Sequence, residues 1–112
     1  MLTVVEEQPM AVSLQKRILL KAADLLEDPR RWTRSVEARD ASGRSVRWSS
    51  PKAVRFCAIG AIERVSAEHG VSSLLVEKFI ENKGSFGRLI DLNDMKGRKA
   101  VITDLRRLAR HA

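Results

Sequence analysis

Cysteine is almost missing from this sequence: Cys57 is the only one among 112 residues. A single thiol excludes an intramolecular disulfide and every Cys-rich zinc site. There are only two histidines, His69 and His111, and no pair of potential ligands has metal-site spacing. No metal and no cofactor is therefore expected. Tyrosine is absent, and three Phe and two Trp are the whole aromatic supply. Exposed stacking platforms of the kind single-strand binders use are correspondingly scarce. No apolar run approaches the roughly 20 residues that cross a bilayer. Residues Met1–Met10 carry Glu6 and Glu7 and no basic group, which is not a secretory signal pattern. The expected setting is the cytoplasm, with no membrane partner.

What remains suits one soluble domain. Hydrophobic residues make up 44% and charged residues 31%, enough to bury a core and keep a polar surface. Residues 1–12 read as a flexible arm or edge strand, and residues 13–112 as a single compact domain. Ser13 can cap a helix from Leu14 to Glu27, where Ile18, Leu19, Ala22, Leu25 and Leu26 form one stripe. Pro29 disfavours helix at Asp28. Strand formers then flank Asp40-Ala41-Ser42-Gly43, a turn with Asp first and Gly fourth. This predicts an antiparallel hairpin over about 31–48. Asp40 would oppose Arg44, Ala38 would face Val46, and Val36 would face Trp48, with Trp32 and Trp48 on the buried side.

A second helix is expected from Ser50 as cap and Pro51 as first residue to His69, with Gly70 closing it. That placement sets Cys57 two turns in, on the apolar stripe with Val54 and Ala61. Its small residues, Gly60 among them, would admit a close neighbour. A third helix, about Ser73–Asn82, is capped by Ser72, and Leu75, Val76, Phe79 and Ile80 face inward. Residues 85–97 read as a connection, and about Arg98–His111 as the last helix. The fold class is α+β, about four helices packed with one hairpin.

Charge is unevenly placed. Lys and Arg number 21 against 14 Asp and Glu, a net +7. Residues 30–55 hold eight basic groups and two acids; residues 96–112 hold six and one. The hairpin (Arg34, Arg39, Arg44, Arg47) and the last helix (Arg98, Lys99, Arg106, Arg107, Arg110) would then offer an Arg-rich face to an anionic partner. Nucleic acid and an acidic protein surface both fit such a face. A merely solvated basic surface fits the composition as well. Recognised nucleic-acid motifs are absent, and Lys83–Arg88 lacks the phosphate-loop pattern.

No residues present themselves as catalytic. Cys57 would need a base in reach, and His69 lies twelve residues along the same expected helix, about 18 Å of rise. In Leu92-Asn93-Asp94-Met95, Asn93 and Asp94 suit capping ahead of the last helix, or contacts in a groove beside Arg98.

Several blocks together carry a resemblance: Trp32; Ala38-Arg39-Asp40 with Gly43 and Val46; Pro51 to Ala61; and Leu92-Asn93-Asp94 with Gly97-Arg98. Over about residues 14–109 the chain resembles a domain-of-unknown-function family of small bacterial and bacteriophage proteins. It departs at Phe56 and Leu92, where Trp is expected. The resemblance brings neither an activity nor a cofactor. It implies that Cys57, Gly60, Asn93 and Asp94 form one unit, a tight helix contact roofed by a capped loop. The reading that follows is a non-enzymatic basic module, in the manner of a phage-derived accessory or anti-defence protein. The alternatives are a Cys57-dependent enzyme using Asn93 or Asp94 with a His, and a structural subunit of an oligomer.

Overall fold

A computed structural model describes residues 13–112; the expectation for residues 1–12 lies outside them. Helix α1 (Leu14–Leu26) starts on Ser13, whose hydroxyl accepts from Lys16 N at 3.1 Å. A single 3-10 turn, Pro29–Arg31, follows, capped by the Asp28 carboxylate. Then come β1 (Ala38–Arg39), β2 (Ser45–Val46), β3 (Arg55–Phe56), α2 (Ala58–Glu68), α3 (Leu74–Asn82) and α4 (Phe86–Asp91). A π turn over Leu92–Lys96 leads into α5 (Arg98–Ala109). The class is α+β: among the described residues there are five α-helices and a small antiparallel sheet in the order β2-β1-β3.

The hairpin keeps its expected centre. Ala38 pairs with Val46, and Gly43 takes φ 90° at the turn, a conformation that costs glycine little. The Asp40 carboxylate accepts from Ser42 N and Arg44 N, both at 2.9 Å. The ladder stops there, and Val36 does not pair with Trp48. Instead Trp48 N donates to the Glu37 carboxylate at 3.1 Å.

The second helix starts later than expected, at Ala58 rather than Ser50. Ser50 closes one turn only, its carbonyl accepting from Ala53 N and its hydroxyl from Lys52 N. Proline's fixed φ serves a turn as well as a first helical turn. The chain then meets the open edge of β1: Val54 N donates to Arg39 O, and Arg55 and Phe56 pair with Arg39 and Ala38. Pairing places Phe56 in the core beside Ala38 and leaves Val54 exposed. Residues 85–97 are a helix and a π turn rather than a connection. Ser73 is the residue flanking α3, but its hydroxyl donates to Glu77; the side-chain cap is Ser72, as expected, whose hydroxyl accepts from Leu74 N at 3.2 Å. Leu75 on that helix is exposed.

The core gathers Ile18, Leu19, Ala22, Ala23 and Leu26 of α1 against Val101, Ile102, Leu105, Leu108 and Ala109 of α5. Ala61, Ile62 and Val65 of α2 complete it, with Val76, Ile80 and Leu89. Trp32 and Trp48 are half-buried and pack against its edge. Among the described residues, no helix is long and apolar enough to cross a membrane.

Candidate functional site

The π turn determines the site. Its wider winding, closed by Gly97 N donating to Leu92 O at 2.8 Å, carries Asn93 inward until it is 2% exposed. Its amide oxygen accepts from Trp32 Nε1 at 2.9 Å and from Ala58 N at 3.0 Å. Its amide nitrogen donates to Thr33 O at 3.2 Å and to the Asp94 carboxylate at 3.1 Å. All four of its hydrogen-bonding positions are filled. Asn93 thus ties the segment before β1 to the start of α2.

Asp94 extends the lock. Its carboxylate accepts from Ser35 N at 3.0 Å, and its carbonyl from Arg34 Nη1 at 3.0 Å. The Ser35 amide, with help from Asn93, holds the Asp94 carboxyl below the usual range. Ser35 pays in conformation: its φ of 74° is the only positive value among the described non-glycine residues. The Arg34 guanidinium lies over the Trp32 ring, 5.2 Å from its centroid.

Cys57 stands at the N-cap of α2, not two turns inside it. Its sulfur accepts from Gly60 N at 3.3 Å, and its own N–H donates to Glu37 O at 3.1 Å. Burial, above all, pushes the thiol up. The Gly60 and Ile59 amides oppose this, and the Glu63 and Asp94 charges add to it. His69 Nδ1 lies 2.9 Å from Val65 O at the far end of α2, and His111 is exposed beyond α5. The pair a thiolate nucleophile requires is therefore not assembled. The thiol serves as a helix cap. Gly60 is the close-contact residue the sequence suggested, and the neighbour is the Glu37 backbone.

Together these elements wall a cleft of about 280 Å³. Cys57, Asn93 and Asp94 line it with Ser35 and Glu37, and Ile59, Phe86 and Ile90 supply apolar walls. Glu63, whose charge acts on Cys57 of the cleft wall, is pushed up to about 7 by burial and by Glu37 and Glu77, with Arg47 opposing. No group of three or more His, Cys, Asp or Glu suited to a metal occurs among the described residues.

The basic residues divide into two sets. Arg98 donates to Leu26 O and Glu27 O, closing the C-terminus of α1. Arg106 pairs with Asp24 and Glu27, and Arg107 with Asp104. Arg34 is held by Asp94 as described, and Arg39 by Thr33 Oγ1 and Gly43 O. The side chains of Arg44, Arg47, Lys99 and Arg110 make no hydrogen bond or ion pair with other described residues. On the sheet, Arg39 and Arg55 are direct cross-strand partners. Arg55 Nε donates to Arg30 O at 3.2 Å. Arg30, Arg31 and Arg55 line a depression of about 330 Å³ with Ala41, Val54 and one carboxylate, Asp28. That carboxylate is already bonded to Arg30 at 2.9 Å, which holds it down to about 2.

A protein-family model matches residues 10–111, which include the whole of this cleft and the arginine face. The chain belongs to DUF6197, a family of unknown function. No curated protein and no solved structure matches it. In this DUF6197 chain the sequence reading missed Ser35 and Glu37 in the cleft, and neither carries a local signal. It also left Arg30, Arg31 and Arg55 out of the basic site, although all three lie in the most basic segment.

Proposed function

We propose that the chain is a non-enzymatic binding module that docks nucleic-acid phosphates on the solvent face of its sheet and the preceding 3-10 turn. The observation that carries this is the guanidinium cluster around Arg55, in which three arginines share one carboxylate. Like charges directly across strands destabilise a sheet, yet Arg39 and Arg55 oppose each other there. Arg30 and Arg31 stand at the same depression, and its single carboxylate is spent on Arg30. Arg44 and Arg47 bracket β2. A phosphate backbone would supply the missing countercharge, and guanidinium forks suit its oxygens. Nucleic acid is favoured over an acidic protein surface because the depression has little apolar centre beyond Val54 and Ala41; protein interfaces are built around buried apolar anchors. Blocking a protein–nucleic-acid complex, as a phage-derived accessory or anti-defence protein would, is the biological setting we propose for it.

The test is fluorescence anisotropy of a short labelled DNA duplex against salt. Binding is expected near 50 mM salt. Four phosphate contacts would give a slope of log affinity on log salt of about −3.6. Arg31→Ala and Arg44→Ala should each flatten that slope by about 1 at every sequence tried. Absence of binding near 50 mM salt refutes the reading. Capture from a cell lysate that survives nuclease would move it to an acidic protein.

A further inference from the structure

The cleft between the π turn and α2 is not used by the phosphate-docking face, and the charged side chains that line it are acidic. We propose that this cleft binds an alkylammonium group, with the charge on Asp94 and the stem against Ile59, Phe86 and Ile90. Three observations support the proposal. The first is its shape and lining. At about 280 Å³ it falls just below the roughly 300–1,000 Å³ of ordinary small-molecule sites, which leaves room for one unbranched stem. Its lining combines the apolar Ile59, Phe86 and Ile90 with the polar Ser35, Cys57 and Asp94.

The second is charge. In a chain of net +7, the acidic residues lining this cleft are Asp94 and Glu37, the latter bonded to Trp48 N, and Glu63 is near enough for its charge to act on Cys57. The Asp94 and Glu63 charges both reach the Cys57 sulfur on the cleft wall. A lining whose charged side chains are acidic favours a cation over an anion. No basic side chain lines it; Arg34, which reaches the Asp94 carbonyl and lies over Trp32, acts on the Asp94 carboxylate from outside the lining.

The third is preorganisation. The Asp94 carboxylate is fixed through one oxygen by Ser35 N and Asn93 Nδ2, and its other oxygen makes no hydrogen bond among the described residues. The left-handed Ser35 is the cost of that arrangement. Strained backbone that persists at a cleft is a recurrent mark of a binding site.

The charged stem has two natural sources, a free aliphatic amine and the lysine side chain of a partner. Titrations followed by amide NMR separate them, with hexylamine as one probe and a capped lysine, its α-amine acetylated and its carboxyl amidated, as the other. Hexanol and hexanoate are the controls. Hexylamine is expected to shift Ser35, Cys57, Ile59 and Asp94 saturably, at a dissociation constant of about 1 mM for so small a ligand. Capped lysine binding more tightly than hexylamine assigns the cleft to a lysine side chain, and the reverse order assigns it to a free amine. Hexanoate or hexanol binding as well as hexylamine overturns the proposal, as does the lack of saturable shifts with either amine. Asp94→Asn keeps an acceptor for Ser35 N and should weaken hexylamine roughly tenfold. Ile90→Trp fills the mouth from an exposed position and should abolish binding with Asp94 intact. Undiminished binding in that variant also overturns the proposal. None of these readouts involves DNA, so failure here and failure of the phosphate reading are separate results.

Discussion

Gly60→Ala provides a sharp test of the packing at the head of α2, because two physical arguments give it opposite signs. Gly60 lies in the first turn of α2, where helix propensity alone favours alanine by about 1 kcal/mol. The structure opposes this. A Cβ at position 60 would collide with Glu37 O and lie only 3.0 Å from Glu37 C. Both atoms are backbone, so no side chain can swing aside. Relief requires the segment before β1 to move off α2, stretching the 3.1 Å hydrogen bond from Cys57 N to Glu37 O. Overpacking of this kind costs about 2 kcal/mol, and the weakened bond costs about 1 kcal/mol more. Less the propensity gain, a net loss of about 2 kcal/mol is expected. For a domain of this size that is a fall of roughly 8 °C in Tm. Urea and thermal unfolding, followed by far-ultraviolet dichroism and tryptophan fluorescence, would measure it. A Tm equal to or above that of the wild type would refute the close contact.

Substitutions at three other positions probe the same region. Asn93→Leu strands Ala58 N and Thr33 O in the interior and should cost about 3–5 kcal/mol, read by urea unfolding and by the Trp32 fluorescence. Glu63→Gln tests the raised carboxyl. Below the ordinary glutamate value of 4.5 both states are protonated and nothing is lost; between 4.5 and about 7 the unfolded chain ionises first, so wild-type stability falls as pH rises. The variant should therefore gain over wild type across that window and hold a constant advantage above it, about 1 kcal/mol once solvent screening is allowed for; a pH-independent difference would exclude a raised value. Cys57→Ser should keep the cap and Cys57→Ala should lose about 1 kcal/mol, while iodoacetamide at pH 7.5 should modify the folded thiol more slowly than the urea-unfolded one.

Much of the fold was legible because local rules and burial agreed. Ser13, the stripe of α1, the turn at Asp40–Gly43 and the Ala38–Val46 register all follow from spacing and turn chemistry. The stretch from Ser50 to Phe56 was not. Its Ser-Pro start satisfies a helix and a turn equally, and the open edge of β1, a tertiary partner, decides between them. The same competition moved Cys57 from mid-helix to the cap. Asn93 and Asp94 were visible as a polar pair, with capping or a groove as their expected roles. Their actual partners, Trp32, Thr33, Ser35 and Ala58, lie 35 or more residues away. The π turn that delivers them has no sequence signature of its own. Charge was legible as composition but not as geometry. The arginines of α5 look free along the sequence, whereas Arg98 and Arg106 are engaged with the end of α1.

The position of Asn93 along the chain bears on how the molecule is made. The residues it fastens emerge from the ribosome well before it does, since Trp32 precedes it by 61 positions and Ala58 by 35. Until the π turn is synthesised, the pairing of β1 with β3 and the bond from Cys57 N to Glu37 O can form, but Trp32 Nε1, Thr33 O and Ser35 N lack the partners that Asn93 and Asp94 supply. A growing chain halted at residue 85 would leave the indole of Trp32 without its Asn93 partner, and nascent products of that length should be cut by protease in the segment before β1.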